Sequence, residues 1–559
     1  MYETEGRAPS FDLTEQPWIG VLRPDGTQGE LSLREVFAQA GDVRRVTGDL
    51  PTQEFALLRL LLAIAHDALD GPNDIEHWAR LWNDPRCFAE VADYLDTHRG
   101  RFDLLDAEAP FFQTAQLRTA KDEVSSLNRI VADVPNGEPF FSARLPAVDR
   151  LSFAEAARWV VHVHAYDTSG IKSGMVGDAR AKGGKVYPLG VGWAGNLGGV
   201  FVEGRDLRET LLLNLMAADT SGSDAKGGDR PAWRRELDGP GGAERTPTGL
   251  RDLYTWQSRR LRLHADTEGV YGVVLGYGDF LTARNMHTRE PMTAWRRSRA
   301  QEKKLGEPLV YLPREHDPAR SAWRGLASLI ADPTQYQQDS AGVSPYLRPG
   351  ILDWVARLVT RRKLPRGFLI RTRVVGTTYG TQQSVIDEVV DDHLTMDVVL
   401  LHEQDREYAQ QAIDAVGDAD RAVNVLGDLA ADLERAAGTE NEGPRLVARD
   451  RAFAELEGPY RGWLAALGKS DDPLAERAVW QARVYGIVSR LGHRMTVDAG
   501  DAARRGRVVP FKQGTVWLDS ALADRWFRKR LRTCLGQSFP SDSLSDADDG
   551  PESPSKVYT

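Results

Sequence analysis

Apolar residues recur at intervals of three and four from 51 to 69, at Phe55, Leu58, Leu61, Leu62, Ala65 and Leu69. That spacing lines one face of a helix and predicts a core helix, opened by Thr52 and Glu54 as capping residues. Ahead of it, FDLTEQPWIGV at 11–21 runs into Arg23-Pro24-Asp25-Gly26, the pattern of a short strand ending in a turn. A helix is expected to begin within 31–39. Helical spacing returns over 153–166 and 207–216, and the alternation over 270–281 predicts a strand.

Between the last two helical stretches the periodicity stops. Residues 167–204 hold eleven glycines, and so long a glycine-rich segment inside a compact domain is functional or mobile. A second polar, glycine-rich stretch at 221–242 reads as a surface loop. Near 395 the texture changes. Four apolar-periodic stretches follow, near 401–436, 445–467, 474–493 and 516–535, and short connections between them predict an antiparallel four-helix bundle. The expected architecture is α+β: a mixed domain at 1–393, a bundle at 394–537, and a Ser/Asp-rich tail at 538–559 that should be disordered.

With 559 residues the chain exceeds what one hydrophobic core organises. The net charge of -10 argues against nucleic acid as a partner until its distribution is read. Asp542, Asp546, Asp548, Asp549 and Glu552 against Lys556 place much of it in the tail. The body is only mildly acidic, and its bases are overwhelmingly arginine, the better group for bidentate phosphate contact. Cys87 and Cys534 cannot build a disulfide framework or a four-ligand zinc site. The polar start has no signal-peptide core, and 55–69 is too short and too charged to span a bilayer. A reducing cytoplasm and no membrane partner are expected.

The motifs exclude more than they assign. Gly190, Gly192 and Gly195 match G-x-G-x-x-G but lack the preceding strand and following helix of a dinucleotide site. In Lys182-Gly-Gly-Lys185, Val186 stands where a phosphate loop needs Ser or Thr for magnesium. His162 and His164, two apart on a helix, face different directions and do not chelate one metal easily. No nucleophile elbow, zinc-helix motif or paired-carboxylate constellation is present, so no cofactor and no catalysis are expected. Arg284, Arg289, Arg296, Arg297, Arg299, Lys303 and Lys304 form one basic cluster; Arg357, Arg361, Arg362, Lys363, Arg366, Arg371 and Arg373 form another. Each is a solvated face or a phosphate track. The segment 377–384 (TTYGTQQS), between apolar runs, reads as a hairpin tip with a glutamine pair projecting.

Taken in order, FDLTEQPWIGV, PTQEFALLRLLLAI, FDLLDAEAPFFQ, VEGRDLRETLLLNLM, YGTQQS and the closing helices resemble the CasA family, the large subunit of the type I-E CRISPR surveillance complex Cascade. The resemblance implies a non-catalytic subunit that reads the protospacer-adjacent motif (PAM) of double-stranded DNA in the minor groove and opens the duplex for R-loop formation in antiviral defence. It implies Gln383 as the wedge, with Gln382 and Ser384 beside it, and Gly190 and Gly192 in the groove-reading loop. Arg284 or Asn285 stands where the family has a lysine finger. Phe140 or Phe141 is implied as a stacking contact to the guide RNA. Implied partners are the other Cascade subunits, guide RNA, target duplex DNA and a helicase-nuclease recruited after R-loop formation. The competing reading, a nuclease or nucleotide-dependent enzyme, would need an acidic metal cluster, for which only Asp387, Glu388, Asp391 and Asp392 lie near a basic stretch. A pure scaffold is the third reading.

Overall fold

The computed structural model describes residues 9–132, 148–220, 228–331, 344–511 and 514–536. Phe140, Phe141 and the acidic tail lie outside the described residues. The chain divides into two compact units, residues 1–365 with 370–394, and residues 366–369 with 395–559.

Helix Pro51–Ala68 is the spine of the first unit, with nearly every side chain from Phe55 to Ala65 buried. Its start differs from expectation. Leu50 holds the cap position without a side-chain bond, and Pro51 removes one of the N–H groups a cap would serve. Thr52 instead shares a 2.9 Å hydrogen bond with His162, and Glu54 pairs with Arg45 and Arg373 at 2.8 and 2.6 Å. Strand Ile19–Leu22 pairs with Gln28–Leu31 across the Pro-Asp-Gly turn, and helix Leu33–Ala38 begins on a capping box made by Ser32 and Glu35.

Helix Phe153–Tyr166 matches its predicted span and carries a second capping box, Ser152 with Glu155. Helix Leu207–Asn214 is shorter than expected. The Asn214 side chain turns to bond both the N–H and the carbonyl of Val202, tying the helix to strand Gly199–Glu203. The predicted strand is Gly269–Tyr277, paired antiparallel with Arg259–Asp266. It stops before Asp279, whose buried carboxylate receives Arg260 and Arg245. Strand Leu369–Tyr379 lies between Ile386–Asp397 and Gly199–Glu203 in a three-stranded sheet.

In the second unit, helix Arg406–Ala437 packs against Gly443–Ala466, Pro473–Val497 and Ser520–Cys534. Its small residues admit aromatic neighbours to the backbone: Tyr460 donates to the Ala412 carbonyl at 3.0 Å and Trp480 to that of Ala415 at 2.9 Å. The stretch 516–535 is not one helix. Gly514–Leu518 is a strand paired with Arg507–Phe511, and the helix begins only where Asp519 caps the Leu522 N–H. Thr515, Val516 and Trp517 favour the pleated ribbon over the helix.

Candidate nucleic-acid interface

The glutamine pair sits at the tip joining strands Leu369–Tyr379 and Ile386–Asp397. Gln382, Gln383 and Ser384 are all exposed. Gln382 and Gln383 have φ of 57° and 55°, a left-handed conformation that costs an L-residue roughly 1–2 kcal/mol each. The backbone around them is tightly held. Gly380 N–H bonds to Val385, Gln383 N–H to Gly380, and the Gln383 carbonyl accepts from Ser169 N–H at 2.8 Å. Below the tip, the Tyr379 hydroxyl donates to the Tyr166 carbonyl at the end of helix Phe153–Tyr166. The strained, held backbone thus presents two glutamine side chains that the fold leaves free, whereas the Ser384 hydroxyl donates to the Thr381 carbonyl at 2.8 Å.

The glycine-rich segment is brought beside this tip. Asp167 and Arg259 form a buried pair, and Asp167 also receives Lys172 at 2.6 Å. Arg259 further donates to the carbonyls of Asp167, Thr168 and Gly190. Burial pulls Lys172 down to about 8 although Asp167 opposes it, and the two cations hold Asp167 below its usual range against the opposing effect of its own burial. This node was not legible in the sequence, where Asp167 and Arg259 are 92 positions apart. Trp193 fastens the far end of the loop by donating to Glu290, itself locked bidentate to Arg59 at 3.0 and 2.9 Å.

The two implicated glycines serve different ends. Gly190 has φ of 107° and open space where a side chain would stand. Gly192 is buried, and a Cβ there would lie 2.5 Å from the Ala165 backbone. Its requirement for glycine is therefore met inside the protein. A cavity of about 210 Å³ lies between Leu189–Gly190–Val191 and the segment from Phe280 to Ala283, so the loop and the region expected to hold the finger share one wall.

The finger residues themselves are engaged. Arg284 pairs with Glu307 at 2.8 Å, half exposed. Asn285, at φ of 55°, is held on both sides: its Oδ1 accepts from Tyr311 N–H at 2.7 Å and its Nδ2 donates to the Leu309 carbonyl at 3.2 Å. The basic clusters are only partly engaged, and Arg361, Arg362, Arg366 and Arg371 stay exposed. Arg373 is buried between Glu54 and Asp391, Lys363 pairs with Glu76, and Arg297 with Glu302. His162 and His164 are core residues, pushed to about 3 and about 4 by burial. Asp391 and Asp392 are taken by Arg373 and by Ala322 N–H. Among the described residues no group of three or more His, Cys, Asp or Glu is placed to hold a metal ion, and no helix is long and apolar enough to cross a membrane.

Fold and site together define an α+β protein in which a strained hairpin tip accepts a hydrogen bond from the glycine-rich segment, and that segment lines a cavity together with residues 280–283. Residues 12–491 match the family model of CRISPR-associated protein Cse1. The chain is 57% identical to Thermobifida fusca Cse1, covering 95% of this chain and 99% of that one with a TM-score of 0.87. It is 32% identical to the Cse1 crystal structure from Acidimicrobium ferrooxidans, over 95% and 99%, with a TM-score of 0.79. A curated CasA/Cse1 from Thermus thermophilus is 31% identical over 341 residues, spanning 58% of this chain and 61% of that relative. The chain belongs to the Cse1, or CasA, family, the large subunit of the type I-E CRISPR Cascade complex.

Proposed function

We propose that this chain is the PAM-reading large subunit of an RNA-guided DNA surveillance complex, working in the cytoplasm with the other Cascade subunits, guide RNA and target duplex, and without catalysis of its own. The observation that carries the reading is the tip at Gln382 and Gln383: two exposed amides on consecutive left-handed residues whose backbone is pinned to Ser169. A long uncharged amide donates and accepts hydrogen bonds and leaves water at less cost than a charge. Driven between base pairs, such a tip unstacks a step at a cost of a few kcal/mol, offset by the contacts that follow.

Beside it, Gly190 offers bare backbone to the minor groove, whose degenerate pattern mainly separates A·T from G·C. The guide RNA then reads the remaining sequence by pairing, the division of labour used by other CRISPR effectors. Arg284, one residue beyond the cavity-lining Ala283, is read as the finger cation, Asn285 being committed to Tyr311. The four long helices of the second unit are read as the bundle that docks on the rest of the complex. The helicase-nuclease is read as arriving after R-loop formation.

The test compares Gln383→Ala with wild type in the assembled complex, on a normal PAM duplex and on one mismatched over the first base pairs beside the PAM. The variant is expected to fail on the first and recover on the second. Equal defects on both would assign Gln383 to anchoring, and cleavage of plasmid by the purified chain with magnesium would overturn the non-catalytic reading.

A further inference from the structure

Lys182-Gly-Gly-Lys185, which is no nucleotide loop, forms the end of a small exposed ribbon. Lys182 and Lys185 exchange both backbone hydrogen bonds, at 2.8 and 3.2 Å. Gly183 and Gly184 have φ of 57° and 75°, the pair of positive values that a two-residue type I′ turn demands. On its other edge Lys185 is paired with Ser173, and Val186 with Lys172. The ribbon alternates cleanly. Val186 is 2% exposed while Tyr187 is 67% exposed, and Ile171 and Tyr187, the residues that flank the Lys172–Val186 pair where the pairing ends, are both exposed, Ile171 at 54%.

The outward face therefore carries Ser173, Lys185 and Lys182 in one row and the apolar pair Ile171 and Tyr187 in the next. Neither lysine has a carboxylate within ion-pair distance among the described residues. Asp178, the acid nearest in sequence, is bound by Arg180 at 3.0 Å. Like charges directly opposite on a ribbon destabilise it, and large apolar side chains on the same face gain nothing from water. The fold has no use for either feature. At its base the ribbon is fixed by Lys172, buried against Asp167 in the node that also holds the Gly190 carbonyl.

We propose that this face docks on the sugar-phosphate backbone of duplex DNA, with Lys182 and Lys185 on phosphate oxygens and Tyr187 and Ile171 against deoxyribose. Two adjacent cations beside an apolar strip complement a chain that alternates phosphate anions with apolar sugar edges. Such contacts position a protein on the duplex and carry no base information. The assignment rests on the DNA-binding reading above and adds to it a sequence-independent clamp within the glycine-rich segment, made by residues other than the tip, Gly190, Gly192 and the finger.

The experiment uses the assembled complex containing Lys182→Ala/Lys185→Ala, with Lys182→Arg/Lys185→Arg and Tyr187→Ala as companions. Binding to duplexes with and without a PAM is measured from 50 to 200 mM salt. The double alanine variant should keep or raise its unfolding midpoint, because a repulsive pair is removed. Its log-affinity against log-salt slope should flatten by about 2 on both duplexes, so that wild type loses roughly tenfold more affinity than the variant across that range. The arginine variant should restore the slope, and Tyr187→Ala should weaken binding without changing it. An unchanged slope, a lowered unfolding midpoint, or a lysine-dependent interaction seen only with anionic phospholipid vesicles would each overturn the proposal. A wild type that ignores the PAM would instead defeat the PAM reading, while the slope comparison would still decide on the clamp.

Discussion

The tip at 381–384 and the segment at 282–285 both contain non-glycine residues with positive φ, yet they use their side chains in opposite ways. At the tip, hydrogen bonds hold the backbone and the two glutamine side chains are left to solvent. In the second segment the Asn285 side chain is itself the fastening, clasping the backbone of Leu309 and Tyr311, and Arg284 is half spent on Glu307. Asparagine adopts the left-handed region more readily than most residues, so its presence there is accounted for by the fold. Two consecutive glutamines are not. A strained residue whose side chain does nothing for its own protein is the observation on which the proposed partner contact rests.

The largest effect is expected where the fold alone needs the residue. Gly192→Val forces a side chain into the Ala165 backbone and should cost about 3 kcal/mol or more, seen as a lower first thermal midpoint. Gly190→Val meets no neighbour and bears only the cost of its φ, about 1–3 kcal/mol, while disturbing PAM discrimination. If the two variants destabilise equally, the division between inward and outward glycines fails.

Acidification tests the support beneath the tip. His162 and His164 lie in helix Phe153–Tyr166, on whose last carbonyl Tyr379 rests, and burial holds them at about 3 and about 4. The ordinary value is about 6.5, so the unfolded chain binds more protons across that interval. Their contribution to stability is complete above pH 6.5 and is lost progressively as the pH falls, down to about 4 for His164 and about 3 for His162. Denaturant midpoints measured at pH 7.5, 5.5 and 4.5 should fall in that order. His162→Gln should flatten the fall, and a midpoint that does not change with pH would mean the histidines are charged in the native state.

Asn285→Ala should cost about 1–3 kcal/mol, for two lost hydrogen bonds and an unfavoured left-handed alanine, with PAM discrimination intact. Loss of discrimination without loss of stability would return Asn285 to the DNA surface and break the comparison. The smallest effect belongs to the tip. Gln383→Gly removes the side chain and the strain together, so stability should hold or rise by up to ~1 kcal/mol while strand opening is lost. A clear drop in thermal midpoint would make the glutamine a structural turn residue.

The elements that follow local rules were legible in the chain. The 3.6-residue period of 51–68 and 153–166, the Pro-Asp-Gly turn, and the change of texture near 395 each express an interaction within a few residues, and so did the glutamine-bearing tip. The ordered motifs sufficed to identify the family. What pattern could not supply was the use to which each side chain is put. Thr52 and Glu54 have the composition of a cap, but they face His162 and Arg373 across the core. Gly190 and Gly192 are two positions apart in one motif, yet one opens to solvent and the other is closed by Ala165. Arg373 counts as one charge in a basic run and proves to be a buried link between helix Pro51–Ala68 and strand Ile386–Asp397. Sequence spacing fixes which residues are neighbours along an element. Only the packing of distant elements decides which polar groups are satisfied inside the protein and which remain free for a partner, because that balance depends on burial and on partners dozens to hundreds of residues away.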